Sequence, residues 1–72
     1  MHKYQLQING MMCGMCEAHV NNIIHKNFNV KKVKSSVRKN QTIITCNEEL
    51  DLDRLNSVID ETGYIVIDIK QI

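Results

Sequence analysis

The 72 residues, with a formal net charge of +1, make one small domain (residues 1–72), near the lower limit for folding without staples. So balanced a charge gives the whole molecule no electrostatic bias toward nucleic acid or membrane. Proline and tryptophan are absent and the aromatics are Tyr4, Phe28 and Tyr64, so the core must be aliphatic. Three cysteines are an odd and low number for a disulfide scaffold. Nothing at the N-terminus reads as a signal peptide, and no apolar run approaches the roughly 20 residues that span a bilayer. A reducing cytoplasm is the expected location, where thiols stay available.

Residues 2–9 alternate, with Tyr4, Leu6 and Ile8 on one side and Lys3, Gln5, Gln7 and Asn9 on the other, the pattern of a half-buried strand. Gly10 ends it at a turn that a side chain would obstruct. Residues 16–28 are expected to form a helix whose buried stripe is Val20, Ile23, Ile24 and either Asn27 or Phe28. Glu17 in its first turn and Lys26 in its last complement the dipole, and Asn29 is placed to take the left-handed conformation after it. Val30, Val33 and Val37 open a β-rich stretch whose faces stay unassigned, because that spacing does not keep period two. Arg38-Lys39-Asn40-Gln41 reads as a hairpin turn with Asn40 at positive φ, followed by a strand over residues 42–46. Asp51 or Asn47 is the candidate cap of a second helix over about 51–62, with Leu52, Leu55, Val58 and Ile59 as its stripe and Gly63 as its stop. A final strand runs through Ile65, Val66, Ile67 and Ile69, where three consecutive apolar residues defeat a face assignment. The order is β-α-β-β-α-β, an α+β ferredoxin-like arrangement with two helices on one face of a four-stranded antiparallel sheet. The elements run almost to both ends, so the chain is expected to be complete rather than a slice.

Charge segregates along the chain. Lys31, Lys32, Lys34, Arg38 and Lys39 are basic, and Glu48, Glu49, Asp51, Asp53, Asp60 and Glu61 are acidic. These read as two solvated faces or, alternatively, as a charged docking surface.

The stretch richest in chemistry is Gly10-Met11-Met12-Cys13-Gly14-Met15-Cys16-Glu17-Ala18-His19-Val20. Cys13 and Cys16 fall on a strand-to-helix corner, where the first helical N–H groups lack intrahelical partners and the dipole favours thiolate over thiol, at Cys16 in particular. Two soft thiolates on a loop suit a soft, low-coordination cation, and Cu(I) fits best. Met12 and Met15 stand ready to shield a metal or to meet a partner. His19, one turn after Cys16, offers a nitrogen to the metal, or a third ligand in a dimer, or is a plain exposed histidine. Cys46 reads as a small buried hydrophobe.

Gly-Met-X-Cys-X-X-Cys after a first strand, with Val20 following and Gly63-Tyr64 near the end, resembles the heavy-metal-associated domain of small copper chaperones and of the N-terminal tails of copper-transporting P-type ATPases. The resemblance covers nearly the whole chain and implies the same ferredoxin-like fold. It implies Cys13 and Cys16 as the metal ligands, Met11 as a support packed beneath the loop rather than a ligand, and Tyr64 in a loop that approaches the metal. Bacterial chaperones of this kind often carry tyrosine there. It also implies that Thr42, Ile44 and Cys46 point inward. Asn29, where the family has glycine, is a mild departure. Family members that prefer Zn(II) or Cd(II) often carry an acidic residue where Met12 stands.

The expected function is therefore a copper chaperone that passes Cu(I) to a copper-transporting P-type ATPase or a copper-responsive regulator, with a metal-bridged homodimer as a further form. Binding or storage of Hg(II), Zn(II) or Cd(II) is the alternative. A thiol oxidoreductase fits less well, since thioredoxin-type motifs come with tryptophan and proline that this chain lacks. A base-stacking RNA-binding sheet would need aromatics on its middle strands, where Val33, Val37, Ile43 and Ile44 stand instead. No nucleophile–base set or phosphate loop emerges, so no enzyme, no nucleic-acid partner and no membrane insertion are expected.

Overall fold

Alternation along the first segment produces one wet and one dry face. In β1 (His2–Asn9), Tyr4, Leu6 and Ile8 are buried while Lys3, Gln7 and Asn9 are exposed. The computed structural model describes residues 1–10 and 14–72. Expectations that fall on Met11, Met12 and Cys13 lie outside the described residues. After β1 come α1 (Gly14–Asn27), β2 (Lys32–Ser36), β3 (Gln41–Cys46), α2 (Leu52–Asp60) and β4 (Ile65–Gln71). This is the expected β-α-β-β-α-β order. The strands form one antiparallel sheet in the order β2-β3-β1-β4, so β1 and β3 are interior.

Helix α1 is helical already at Gly14, two residues before the expected start, which brings Cys16 inside the first turn. Val20 and Ile24 are buried as expected, whereas Ile23, Asn27 and Phe28 are half-buried. At the far end the Asn27 side-chain amide donates to the Ile23 carbonyl at 2.8 Å, and the Phe28 N–H donates to the Ile24 carbonyl at 2.9 Å. With those carbonyls satisfied, Asn29 is not needed in the left-handed conformation and does not take it; Asn40, at φ 53°, is the one non-glycine residue with positive φ among those described. Asn40 thus closes the β2–β3 hairpin as expected, and its carbonyl accepts the Ile8 N–H at 2.7 Å, tying the turn to the central strand. Val30 and Val37 flank β2, and only Val33 of the three lies within the strand, which is why they break period two.

Helix α2 is shorter than expected. Asp51 is its cap, accepting the Arg54 N–H at 3.2 Å, and the chain turns at residues 61–63 with Gly63 at φ +94°. Leu55 and Ile59 are buried, but Val58 is half-buried and Leu52, expected in the stripe, is exposed at the first helical position. The helices' buried side chains meet Tyr4, Leu6, Ile8, Val33, Ile44 and Cys46 in one cluster, so both helices lie on one face of the sheet. Thr42, fully buried, shares a hydrogen bond of 2.8 Å with the Ser35 hydroxyl, which reaches Asn21 Oδ1 at 2.7 Å. That chain satisfies the polar member of the inner layer and joins β3, β2 and α1.

The last strand explains its own ambiguity. Gln7 pairs with Asp68 but Ile8 pairs with Val66, so Ile67 is an extra residue in β4. Val66 and Ile69 can then both pack inward despite their three-residue spacing, while Ile65 and Ile67 stay on the surface.

Candidate metal site

The corner between β1 and α1 is built by three features of the described chain. Gly10, at φ +104°, turns the backbone where a Cβ would lie 3.2 Å from Tyr64 Cδ1 and 3.5 Å from Tyr64 Cα. Glycine is required there twice over, for its dihedral and for the close approach of the tyrosine. We expect Gly10→Ala to cost about 1–3 kcal/mol and to push Tyr64 off the corner. Chemical denaturation and the Tyr64 ring resonances would check both effects; an unchanged midpoint would show that the corner tolerates a side chain.

The second feature is Tyr64 itself. Half-buried after Gly63, its hydroxyl lies 3.3 Å from His19 Nδ1, and the two rings meet edge-on with centroids 5.9 Å apart at 71°. With the imidazole proton on Nε2, Nδ1 accepts from the hydroxyl. The pair joins the loop before β4 to α1 across 45 residues of sequence. His19 Nδ1 is thus engaged with Tyr64, one turn along the helix from Cys16.

The third feature was not foreseen. Glu17 was expected only to complement the dipole, yet its Oε2 accepts the Val37 N–H at 2.8 Å. This charge-assisted bond fixes the first turn of α1 to the β2–β3 hairpin. No local pattern could have shown it, because it depends on the hairpin folding back beside the helix.

Cys16 is half-buried within that first turn and packs partly against the core cluster. Met15 is 82% exposed beside it. Cys13, Met11 and Met12 are outside the described residues, so the structure brings together Cys16, His19, Tyr64 and Gly10 at one corner. Among the described residues no three His, Cys, Asp or Glu side chains converge on a common point. Cys46 stands apart in the core: it is fully buried, its thiol donates to the Glu48 carbonyl at 3.0 Å, and burial pushes its pKa up. It remains a protonated thiol, as expected of a small hydrophobe.

No protein-family model matches the chain. Over all 72 residues it is 28% identical to a mercuric reductase of Lysinibacillus sphaericus, and it spans 13% of that protein's length. Among solved structures it resembles the N-terminal domain of ZntA in the Zn(II) form, with a TM-score of 0.82 and 19% identity over 93% of this chain and 90% of that one. The CopZ metallochaperone matches with a TM-score of 0.81 and 20% identity over 90% of this chain and 98% of its own. Oxidised MerP from Ralstonia metallidurans CH34 matches with a TM-score of 0.80 and 26% identity, covering 96% of each. The fold is that of the heavy-metal-associated domains, as the resemblance implied. Its neighbours among solved structures include a metallochaperone and a copper-binding domain of a P-type ATPase, whereas the mercuric reductase that it matches in part is an enzyme. No helix among the described residues is long and apolar enough to cross a membrane.

Proposed function

We propose that this chain binds one Cu(I) through the Cys13 and Cys16 thiolates and hands it by ligand exchange to a copper-transporting P-type ATPase or a copper-responsive regulator in the cytoplasm. The observation that supports this reading most is the placement of Cys16 in the first turn of α1 at a corner closed by Tyr64, with Cys13 three positions before Cys16 in the sequence. The N–H groups of a first helical turn, which have no intrahelical acceptor, and the positive helix end favour a thiolate there, and two thiolates suit a soft ion in a nearly linear geometry. In transfer, a partner's cysteine loses its proton as its sulfur bonds the metal. A three-coordinate intermediate forms, and Cys13 or Cys16 leaves and takes up a proton. No oxidation state changes and no free ion is released. In this reading Met11 supports the loop, Met12 and Met15 shield the ion or meet the partner, and Tyr64, held by His19, shelters it. The chain acts as a single domain, and a second copy can share the metal in a bridged dimer.

Hg(II) is the second reading, favoured by the 28% identity to a mercuric reductase. Affinity separates the two poorly, because both ions are soft and accept two thiolates. The test is therefore an anaerobic Cu(I) titration of the reduced protein against a competing chelator, followed by the rate of transfer of each ion to a second dithiol domain. One tightly held Cu(I) per chain, passed on within seconds of mixing, is the expected result. Weak Cu(I) uptake, or slow Cu(I) transfer beside rapid Hg(II) transfer, would move the assignment to mercury.

A further inference from the structure

The face of the sheet turned away from the helices carries charge that the metal site does not use. In the strand register, Lys3, Thr45 and Lys32 lie in one row across β1, β3 and β2. The next row on that face runs Lys70, Gln5, Ile43, Lys34 across all four strands. Lys32 and Lys34 are about 7 Å apart along β2, and Lys3 is about 10 Å from Lys32 across two strand spacings. One shallow concavity of about 360 Å³ is lined by Met1, Lys3, Lys32, Lys34, Ile43 and Thr45. A second of about 420 Å³ adjoins it, sharing Lys34 and Ile43 and adding Arg38 and Lys39. Together they gather Lys3, Lys32, Lys34, Arg38 and Lys39, five of the chain's nine lysines and arginines, and none of its eight carboxylates. Asp68, the one carboxylate in the rows of this face, lies 3.8 Å from the Lys70 ammonium.

We propose that this face is a docking surface for an anionic phospholipid bilayer, which it meets flat and reversibly. A net charge of +1 does not oppose this, because a planar surface senses the charges nearest to it. The helix layer holds Asp53, Asp60 and Glu61 on the other side of a molecule 21 Å through its shorter axes. That is about two Debye lengths at physiological salt. The lysines meet lipid phosphates while these three carboxylates are screened. Met1, 75% exposed, and the half-buried Ile43 line the first concavity beside Lys3, Lys32 and Lys34. Protruding apolar side chains among cations suit the boundary between headgroups and acyl chains. The face carries no Tyr or Phe on which nucleic-acid bases would stack, since Tyr4 points inward. Its Lys3–Lys32 end lies away from Gly10, with about 24 Å of extended strand between Lys3 and Gly10. The proposal therefore stands or falls without reference to the metal.

The test is co-sedimentation of the reduced, metal-free chain with phosphatidylcholine vesicles and with equimolar phosphatidylcholine–phosphatidylglycerol vesicles, at low and at physiological salt. Binding is expected to the anionic vesicles alone and to weaken as salt rises. Lys34→Gln should lower the partition coefficient about fivefold and Lys32→Gln plus Lys34→Gln about 25-fold. Lys26→Gln, which removes the same charge from α1, should leave it unchanged. Amide spectra of the variants would confirm that each is folded. Equal pelleting with neutral vesicles, pelleting with neither, or an equal loss from Lys26→Gln would overturn the proposal. So would tighter binding of a poly-glutamate peptide than of the vesicles, which would assign the face to an acidic protein segment.

Discussion

Replacing Cys13 and Cys16 together with serine is expected to abolish high-affinity Cu(I) uptake, by more than about a thousandfold in apparent affinity. The bound is set by comparison: residues that merely orient a ligand cost about 10–100-fold when removed, and removing both soft donors must exceed that. Serine is a hard, neutral oxygen donor at pH 7 and holds a soft cation poorly. Cys46 cannot substitute, since it is fully buried and its thiol is held in the protonated form. His19→Ala and Tyr64→Phe should each have smaller effects, within about tenfold, because the pair acts on the site through each other. They should also show the same loss when combined as either does alone, since both break one contact. Titration of the four variants against a competing chelator checks all of this. If His19→Ala alone removed uptake, His19 would be a ligand and the role of its contact with Tyr64 would have to be rewritten.

The contrast between these groups shows what local sequence carries. Cys13 and Cys16 stand in one short motif, and Gly10 announces its turn by being glycine. The alternation of Tyr4, Leu6 and Ile8 placed all three in the core, and the polarity of Arg38-Lys39-Asn40-Gln41 marked the hairpin and its left-handed residue. What local pattern could not carry depends on pairing between distant segments. Tyr64 and His19 are 45 residues apart, and Glu17 and Val37 are 20 apart, so both bonds exist only once the chain has folded. The faces of β4 were hidden for the same reason: the bulge at Ile67 is a property of its register against β1, not of its own residues. Asn29 and Leu52 failed at helix ends, where side-chain caps from Asn27 and Asp51 decide the geometry. The basic sheet face belongs with these cases. Lys3 and Lys70 lie at opposite ends of the sequence and join Lys32 and Lys34 only through the strand order β2-β3-β1-β4.

Leu6→Ala should remove a large share of the folding free energy. Leu6 is fully buried on β1, an interior strand flanked by β3 and β4, and it faces the helices. Truncating a buried leucine costs about 2–5 kcal/mol, through lost transfer energy and the cavity left behind. A 72-residue chain is stable by only about 4–11 kcal/mol at ordinary per-residue values. The variant should therefore unfold at much lower denaturant, and a visible fraction should be unfolded at room temperature if the wild type is at the weak end of that range. Ile67→Ala, on the surface at 51% exposure, should change stability by less than about 0.5 kcal/mol. The comparison also decides what folds this domain. If the aliphatic core does, the reduced metal-free wild type gives a dispersed amide spectrum and unfolds cooperatively. The Cys13→Ser plus Cys16→Ser variant then keeps most of that stability, and Leu6→Ala loses it with or without copper. A disordered metal-free wild type that gains structure only on Cu(I) addition would instead make the metal the organising element, and the truncation of Leu6 would then matter mainly in the loaded form.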